Sequence, residues 1–244
     1  MVGNKVNRES VRWLFLEGTA IILSILLAFA IDAWWAERKQ GIEETEILLG
    51  LQKEFVLNRE ALEGSLERHA RGLSLLADLL IATDRGAWTA TGTTIDEALL
   101  ELTNPPTTDL GSGVLNALVS AGRIEVLSSR VLREKIASWE GVFDEVRDDE
   151  VNNRNLVFDR VIPYLMRWGV RLGDSLNYSL DDWPIPPRSV ADDADALSRL
   201  LSDPEFASIV EIRYGFKTHA TGEYELAIAA IDEILNEIDQ SLAM

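Results

Sequence analysis

Residues 14–33 read LFLEGTAIILSILLAFAIDA, twenty consecutive positions with two ionisable side chains, Glu17 and Asp32. At 1.5 Å per residue a helix of this length spans about 30 Å, the thickness of a bilayer's hydrocarbon core. Only a helix or a closed barrel satisfies its own backbone there. The run therefore predicts a transmembrane helix over residues 14–35, preceded by a short segment over 1–13. Trp13 stands at one end and Trp34-Trp35 at the other, where indole rings favour the headgroup boundary, with Arg12 and Arg38-Lys39 just outside. The rival reading is a cleaved signal peptide, because Lys5, Arg8 and Arg12 precede the run and Ala28-Phe29-Ala30 matches a small-x-small cleavage site. Glu17 inside the run, the run's length and the paired indoles behind it favour retention.

A carboxylate inside hydrocarbon is costly, so Glu17 is expected to face protein or a polar cavity. The bland alternative is that it is protonated, or reaches the headgroups from one turn inside Trp13. Ala20, Ser24 and Ala28 recur every four residues, and Glu17 and Asp32 adjoin the same side. Such a small-xxx-small stripe lets helix backbones approach closely. The chain has no second apolar segment of comparable length, so the expected neighbour is another copy of the chain or another membrane protein. Three basic residues precede the span and two follow it before a run of glutamates; this places the short flank inside and the larger part across the membrane. In a Gram-negative bacterium that side is the periplasm.

Charge separates the rest of the chain from this segment. After residue 40 there are 18 basic groups against 37 acidic ones, so nearly all of the formal charge of −18 lies in residues 41–244. An acidic surface of this size repels phosphate backbones, so nucleic acid is not an expected partner. The absence of cysteine excludes disulfides, thiolate metal sites and cysteine nucleophiles.

Residues 36–244 predict a soluble, acidic, all-α domain, an antiparallel bundle of five or six helices. Ile47, Leu48, Leu51, Phe55, Leu62, Leu66, Leu73, Leu76 and Leu80 follow mostly three- and four-residue steps, with no breaker from Ala36 to Ala82. The transmembrane helix is therefore expected to continue as a long stalk, with Gly41 its most probable bend. Thr94-Ile95-Asp96-Glu97 fits a capping box opening a helix to Leu102, which Asn104-Pro105-Pro106 stops. A short helix is expected over 114–121, ending at Gly122. A long one starts after Ser128-Ser129, with Val131, Leu132, Ile136, Trp139, Val142, Phe143 and Val146 on its apolar side, and reaches towards Tyr164. Residues 169–187 read as a surface crossing, and Asp203-Pro204 as a cap and first residue of a helix running to Leu242.

Catalytic grammar is missing. There is no HExxH, GxSxG, Walker loop or dinucleotide fingerprint. Neither His69 nor His219 has a glutamate three residues before it, as di-iron bundles require. His219 and Glu223 form an ordinary i,i+4 pair. The acidic runs 147–150 and 192–195 read as solvated faces, and Gly111-Ser112-Gly113 as a helix entry. No catalytic residue, metal site or cofactor is expected.

Two blocks carry a family resemblance. Leu16-Glu17-Gly18, then Leu27-Ala28-Phe29-Ala30-Ile31-Asp32-Ala33-Trp34-Trp35-Ala36-Glu37-Arg38-Lys39, resembles the opening of a family of uncharacterised single-pass bacterial membrane proteins. There a Gly-Glu, a Leu-Ala, an Asn-x-Trp and a Glu-x-Arg recur. Residues 118–127 followed by Leu132-Arg133 are similar to that family's Leu-x-x-Ser-Gly-x-Leu-x-x-Ile turn. Here the order is Glu17-Gly18, and Asp32 or Ala33 stands where asparagine is usual. The resemblance covers about one fifth of the chain. It implies a membrane-anchored helical domain, with Glu17 at the family's intramembrane glutamate, and no activity to carry over. The expectation is a non-enzymatic interaction or scaffold protein of the bacterial inner membrane. The alternative is a receptor or enzyme whose pocket among the helices uses Tyr164, Trp168, Tyr178 or Trp183 as lining. A third is an accessory subunit of an ion- or proton-driven complex in which Glu17 titrates.

Overall fold

The structure is a computed structural model that describes residues 8–105, 107–170 and 190–243; among them there are helices and no strand. Helix α1 runs unbroken from Arg8–Arg85, 78 residues or roughly 120 Å. It passes through Gly41 without interruption, where a bend was expected; the following Thr45 hydroxyl donates to the Gly41 carbonyl at 2.8 Å. Near its N-terminus α1 is long and apolar enough to cross a membrane, and none of that stretch is buried within the chain.

From Leu48 onwards the same helix supplies the core. Its buried positions up to Leu79 are Leu48, Leu51, Phe55, Asn58, Leu62, Ser65, His69, Gly72, Leu76 and Leu79, alternating steps of three and four, and Ala82 is buried beyond them. A sustained period of 3.5 is that of a coiled-coil seam, so a single face stays in contact along the whole length. Helix α7 (Pro204–Leu242) presents a matching seam: Phe206, Val210, Arg213, Lys217, Ala220, Tyr224, Ala227, Ile231, Ile234 and Ile238. The two run antiparallel, Gln52 bonding Asp239 and Arg59 bonding Asp232, each at 2.6 Å. Helix α4 (Arg130–Leu156) lies antiparallel to α7 as well, with Lys135 paired to Glu233.

The shorter helices close the sides. Helix α2 (Ile95–Thr103) has the expected capping box: the Glu97 N–H donates to the Thr94 hydroxyl and the Thr94 N–H to the Glu97 carboxylate. Helix α3 (Gly113–Ser120) ends before Gly122, whose φ of +64° is cheap only for glycine. Its own Ser112 makes no cap. Instead Glu54 of α1 accepts from the Val114 and Leu115 N–H groups at 2.7 and 3.1 Å, and Asn58 brackets Gly111 with two 2.8 Å bonds. A carboxylate at a helix N-terminus satisfies orphan donors and the helix dipole together.

Helix α4 does not continue uniformly. Pro163 has no N–H and crowds the preceding turn, and the chain passes through a π-turn at Val157–Val161 before α5 (Ile162–Arg167). Val131, expected on the apolar face of α4, is exposed. Helix α6 (Ala194–Leu201) rises from the acidic run read as a solvated face: Asp193 caps it by accepting from the Ala196 N–H at 2.9 Å. Asp203 caps α7 and also accepts from the Tyr164 hydroxyl at 2.9 Å, tying α5 to α7. Most of the expected crossing over 169–187, including Tyr178 and Trp183, lies outside the described residues.

The apolar interior is in two parts. One, nearer the exposed apolar end of α1, gathers Leu48 to Leu62 with α3, α4 and the second half of α7; there Phe55 meets Trp139 edge to face at 5.4 Å. The other gathers Leu76 to Ala82 with α2, the π-turn, α5, α6 and the start of α7. Between them the seams turn polar.

Candidate functional site

Ser65, His69 and Gly72 are consecutive seam positions of α1, and Arg213, Lys217 and Tyr224 are seam positions of α7, with Ala220 between the last two, where leucine-like residues would otherwise pack. Burying them requires partners. Lys217 donates to Glu101 of α2 at 2.6 Å, a pair whose side chains are 4% and 15% exposed. Burial pushes the Lys217 ammonium below its ordinary range, and Glu101 pulls it back. Arg213 is wholly buried and donates to the Asn153 side chain and, at 2.8 Å, to the Asn104 carbonyl, while its Nε has no partner. A Cβ at Gly72 would overlap the Glu101 carboxylate and the Lys217 stem, so this position must be glycine for the pair to fit.

A chain of hydroxyls crosses the bundle beside these cations. Arg68 donates to Ser65 Oγ at 2.8 Å, Ser65 and Thr108 share a 2.7 Å bond, Thr108 donates to Tyr224 at 3.2 Å, and Tyr224 donates to Glu150 at 2.7 Å. Each hydroxyl can therefore donate once in the same direction, from Arg68 towards Glu150. Burial raises the Glu150 carboxyl above its usual range, and the bonds from Tyr224 and Thr108 oppose it. The run 147–150, read from sequence as solvated, thus turns Glu150 inwards.

His69 is 2% exposed and sits edge-on to Tyr224, ring centroids 4.6 Å apart. Neither ring nitrogen makes a hydrogen bond, although the Lys217 carbonyl lies close enough to favour a proton. Burial, then the charges of Lys217, Arg213 and Arg68, depress the imidazole to about 3. The ring is neutral at physiological pH.

His69 forms part of the wall of a cavity of about 120 Å³ with Ser65, Arg68, Glu101, Asn104, Pro105, Thr107 and Lys217. A wider cleft of about 620 Å³ shares Arg68, Glu101 and Asn104 with it and adds Arg71, Leu75, Thr93, Glu97 and Leu100.

No family model, curated protein or solved structure matches the chain.

The residues singled out from sequence lie elsewhere. Glu17, Ala20, Ser24, Ala28 and Asp32 are all exposed along one side of α1, and the Ser24 hydroxyl is satisfied by the Ala20 carbonyl at 2.8 Å. Trp13, Trp34 and Trp35 are exposed too; Trp34 packs edge-on to Trp35 and carries Arg38 over its ring, and Lys39 follows on the exposed surface. Tyr164 and Trp168, expected as pocket lining, instead pack in and against the second apolar cluster, away from the 120 Å³ cavity. His219 meets Glu223 as expected, at 3.7 Å, and Asp149 of α4 more closely, at 3.3 Å.

Proposed function

We propose that the chain is a single-pass membrane protein that assembles through residues 14–35, with another copy or another membrane protein, and carries its acidic domain as a scaffold or sensor. The observation that carries this reading is the continuity of α1: one helix holds both the exposed apolar stretch and the core seam of the domain. A rotation or shift imposed on the apolar end would reach the seam without crossing a loop. The stripe of Ala20, Ser24 and Ala28 with Glu17 and Asp32 supplies a face on which a second helix can approach closely and meet a polar group. The resemblance to single-pass bacterial membrane proteins agrees with an anchor in the inner membrane, and the three basic residues before the span against two after it favour a periplasmic domain.

Gentle extraction of full-length protein, followed by the mass of the particle and the identity of what co-purifies, tests this. A homogeneous multiple of 27.2 kDa or one stoichiometric partner is expected. A strict monomer with nothing bound in a mild bilayer mimic would remove its basis. A second reading, a ligand-binding receptor, is favoured by the polar cavity between the two apolar clusters.

A further inference from the structure

In a region with 37 acidic groups and 18 basic ones, the seam's polar layer collects cations. Arg68, Arg71 and Lys217 line the cavity and its cleft, against Glu97 and Glu101, and the charge of buried Arg213 also reaches His69. Neither carboxylate is idle. Glu101 accepts from Lys217, and Glu97 closes the cap of α2. Arg68 spends one N–H on Ser65 and is otherwise exposed at the mouth. The imidazole of His69 forms part of the wall with both nitrogens unbonded. As a neutral ring it holds one N–H, which the nearby Lys217 carbonyl or a bound group can accept, and a buried polar atom left unpaired is costly.

The lining thus holds several donors: the Arg68 guanidinium, the Lys217 ammonium, the Thr107 hydroxyl and the Asn104 amide, while the Ser65 hydroxyl is taken up by Thr108. Guanidinium and ammonium donors gathered at one wall suit a ligand that accepts, such as a carboxylate or a phosphate. The volume, about 120 Å³, is far above the roughly 10–15 Å³ one water needs. The adjoining cleft is less polar, with Leu75 and Leu100 among its walls.

We propose that this cavity binds a small oxyanion, the carboxylate or phosphate group of a small molecule, held by Arg68, Lys217 and His69, with any apolar body in the outer cleft. The proposal deepens the receptor reading and does not depend on assembly of the apolar stretch. Occupancy would bridge α1, α2 and α7 at the level where the apolar core is interrupted, so binding is expected to stabilise the domain.

The test uses full-length protein in nanodiscs of zwitterionic lipid, titrated calorimetrically with acetate, butyrate, hexanoate, inorganic phosphate and, as the opposite charge, trimethylammonium. Saturable one-to-one binding of at least one oxyanion is expected, with none of trimethylammonium. Arg68 is exposed, so Arg68→Gln folds normally and should weaken the oxyanion about tenfold or more, as loss of a charged hydrogen bond does. Histidine-labelled protein gives a second readout. The His69 imidazole resonances should shift on saturation while those of His219, on the far side of α7 against Asp149, stay in place. Affinity rising along the carboxylate series places the body in the outer cleft, and preference for phosphate assigns the head group without it. Absence of saturable binding for every oxyanion would overturn the proposal. So would binding that survives Arg68→Gln without moving His69, or equal binding of trimethylammonium.

Discussion

Acid should unfold this domain through His69, and the size of the effect follows from its burial. The imidazole's pKa is lowered from 6.5 to about 3 by burial and by the cations of Lys217, Arg213 and Arg68. Because the folded value lies below the unfolded one, the unfolded chain takes up the proton first. The stability associated with the neutral ring is complete above pH 6.5 and is lost as pH falls towards 3. At 1.36 kcal/mol per unit, the full loss is about 5 kcal/mol, and about half of it is gone by pH 4.5. Asp149 and Glu150 work in the opposite direction: burial raises both, so their protonation on acidification relieves a cost. The wild-type profile alone therefore mixes signs. His69→Phe keeps a ring edge-on to Tyr224 and removes the titration. The assay is urea unfolding of full-length protein in detergent, followed by circular dichroism, for both proteins at pH 7 and 4.5. The variant should lose about 2–3 kcal/mol less than the wild type over this interval. Equal losses in the two proteins would refute the reasoning, and would mean that the ring charges inside the fold at little cost.

Other consequences follow from single contacts. Lys217→Met strands the buried Glu101 carboxylate and should destabilise by about 3–5 kcal/mol, while adding Glu101→Leu should restore most of that, measured as urea midpoints of the single and double variants. Glu54→Ala removes the acceptor of two N–H groups at the start of α3 and should cost about 1–2 kcal/mol, with amide exchange accelerated at Val114 and Leu115 before the rest of the domain. Spin labels introduced by Leu27→Cys and Leu49→Cys, unique in a chain without cysteine, should give one narrow distance near 33 Å if α1 runs through Gly41 as a single helix. A broad, shorter distribution would show a hinge there.

Helix existence was legible because the signals were local. Thr94 with Glu97, Ser129, Asp203-Pro204 and Gly122 all act where their chemistry placed them. The α6 cap at Asp193 was hidden by its own charge run, in which a capping aspartate looks like any other. The polar layer is hidden for a related reason: apolar periodicity passes over Asn58, Ser65, His69 and Gly72, which are not apolar. Continuing the 3.5-residue beat through Leu48, Leu51, Phe55, Leu62, Leu76 and Leu79 would have marked those four positions as seam sites with the wrong chemistry. The same beat on α7 marks Arg213, Lys217 and Tyr224. What no single helix could supply is that the two defects meet at one level and that Glu101 arrives from α2, since these are contacts between segments more than 100 residues apart.

Whether the Glu17–Asp32 stripe is a contact face is read out by a photo-crosslinking residue placed at Ser24 or at Ile22 in living membranes. Ser24 lies on the stripe and Ile22 about 160° away around the helix, at roughly 100° per residue. A discrete protein adduct, of the chain with itself or with one partner, is expected from position 24 and only lipid adducts from position 22. Equal protein adducts from both positions, or none from position 24, would contradict a contact face.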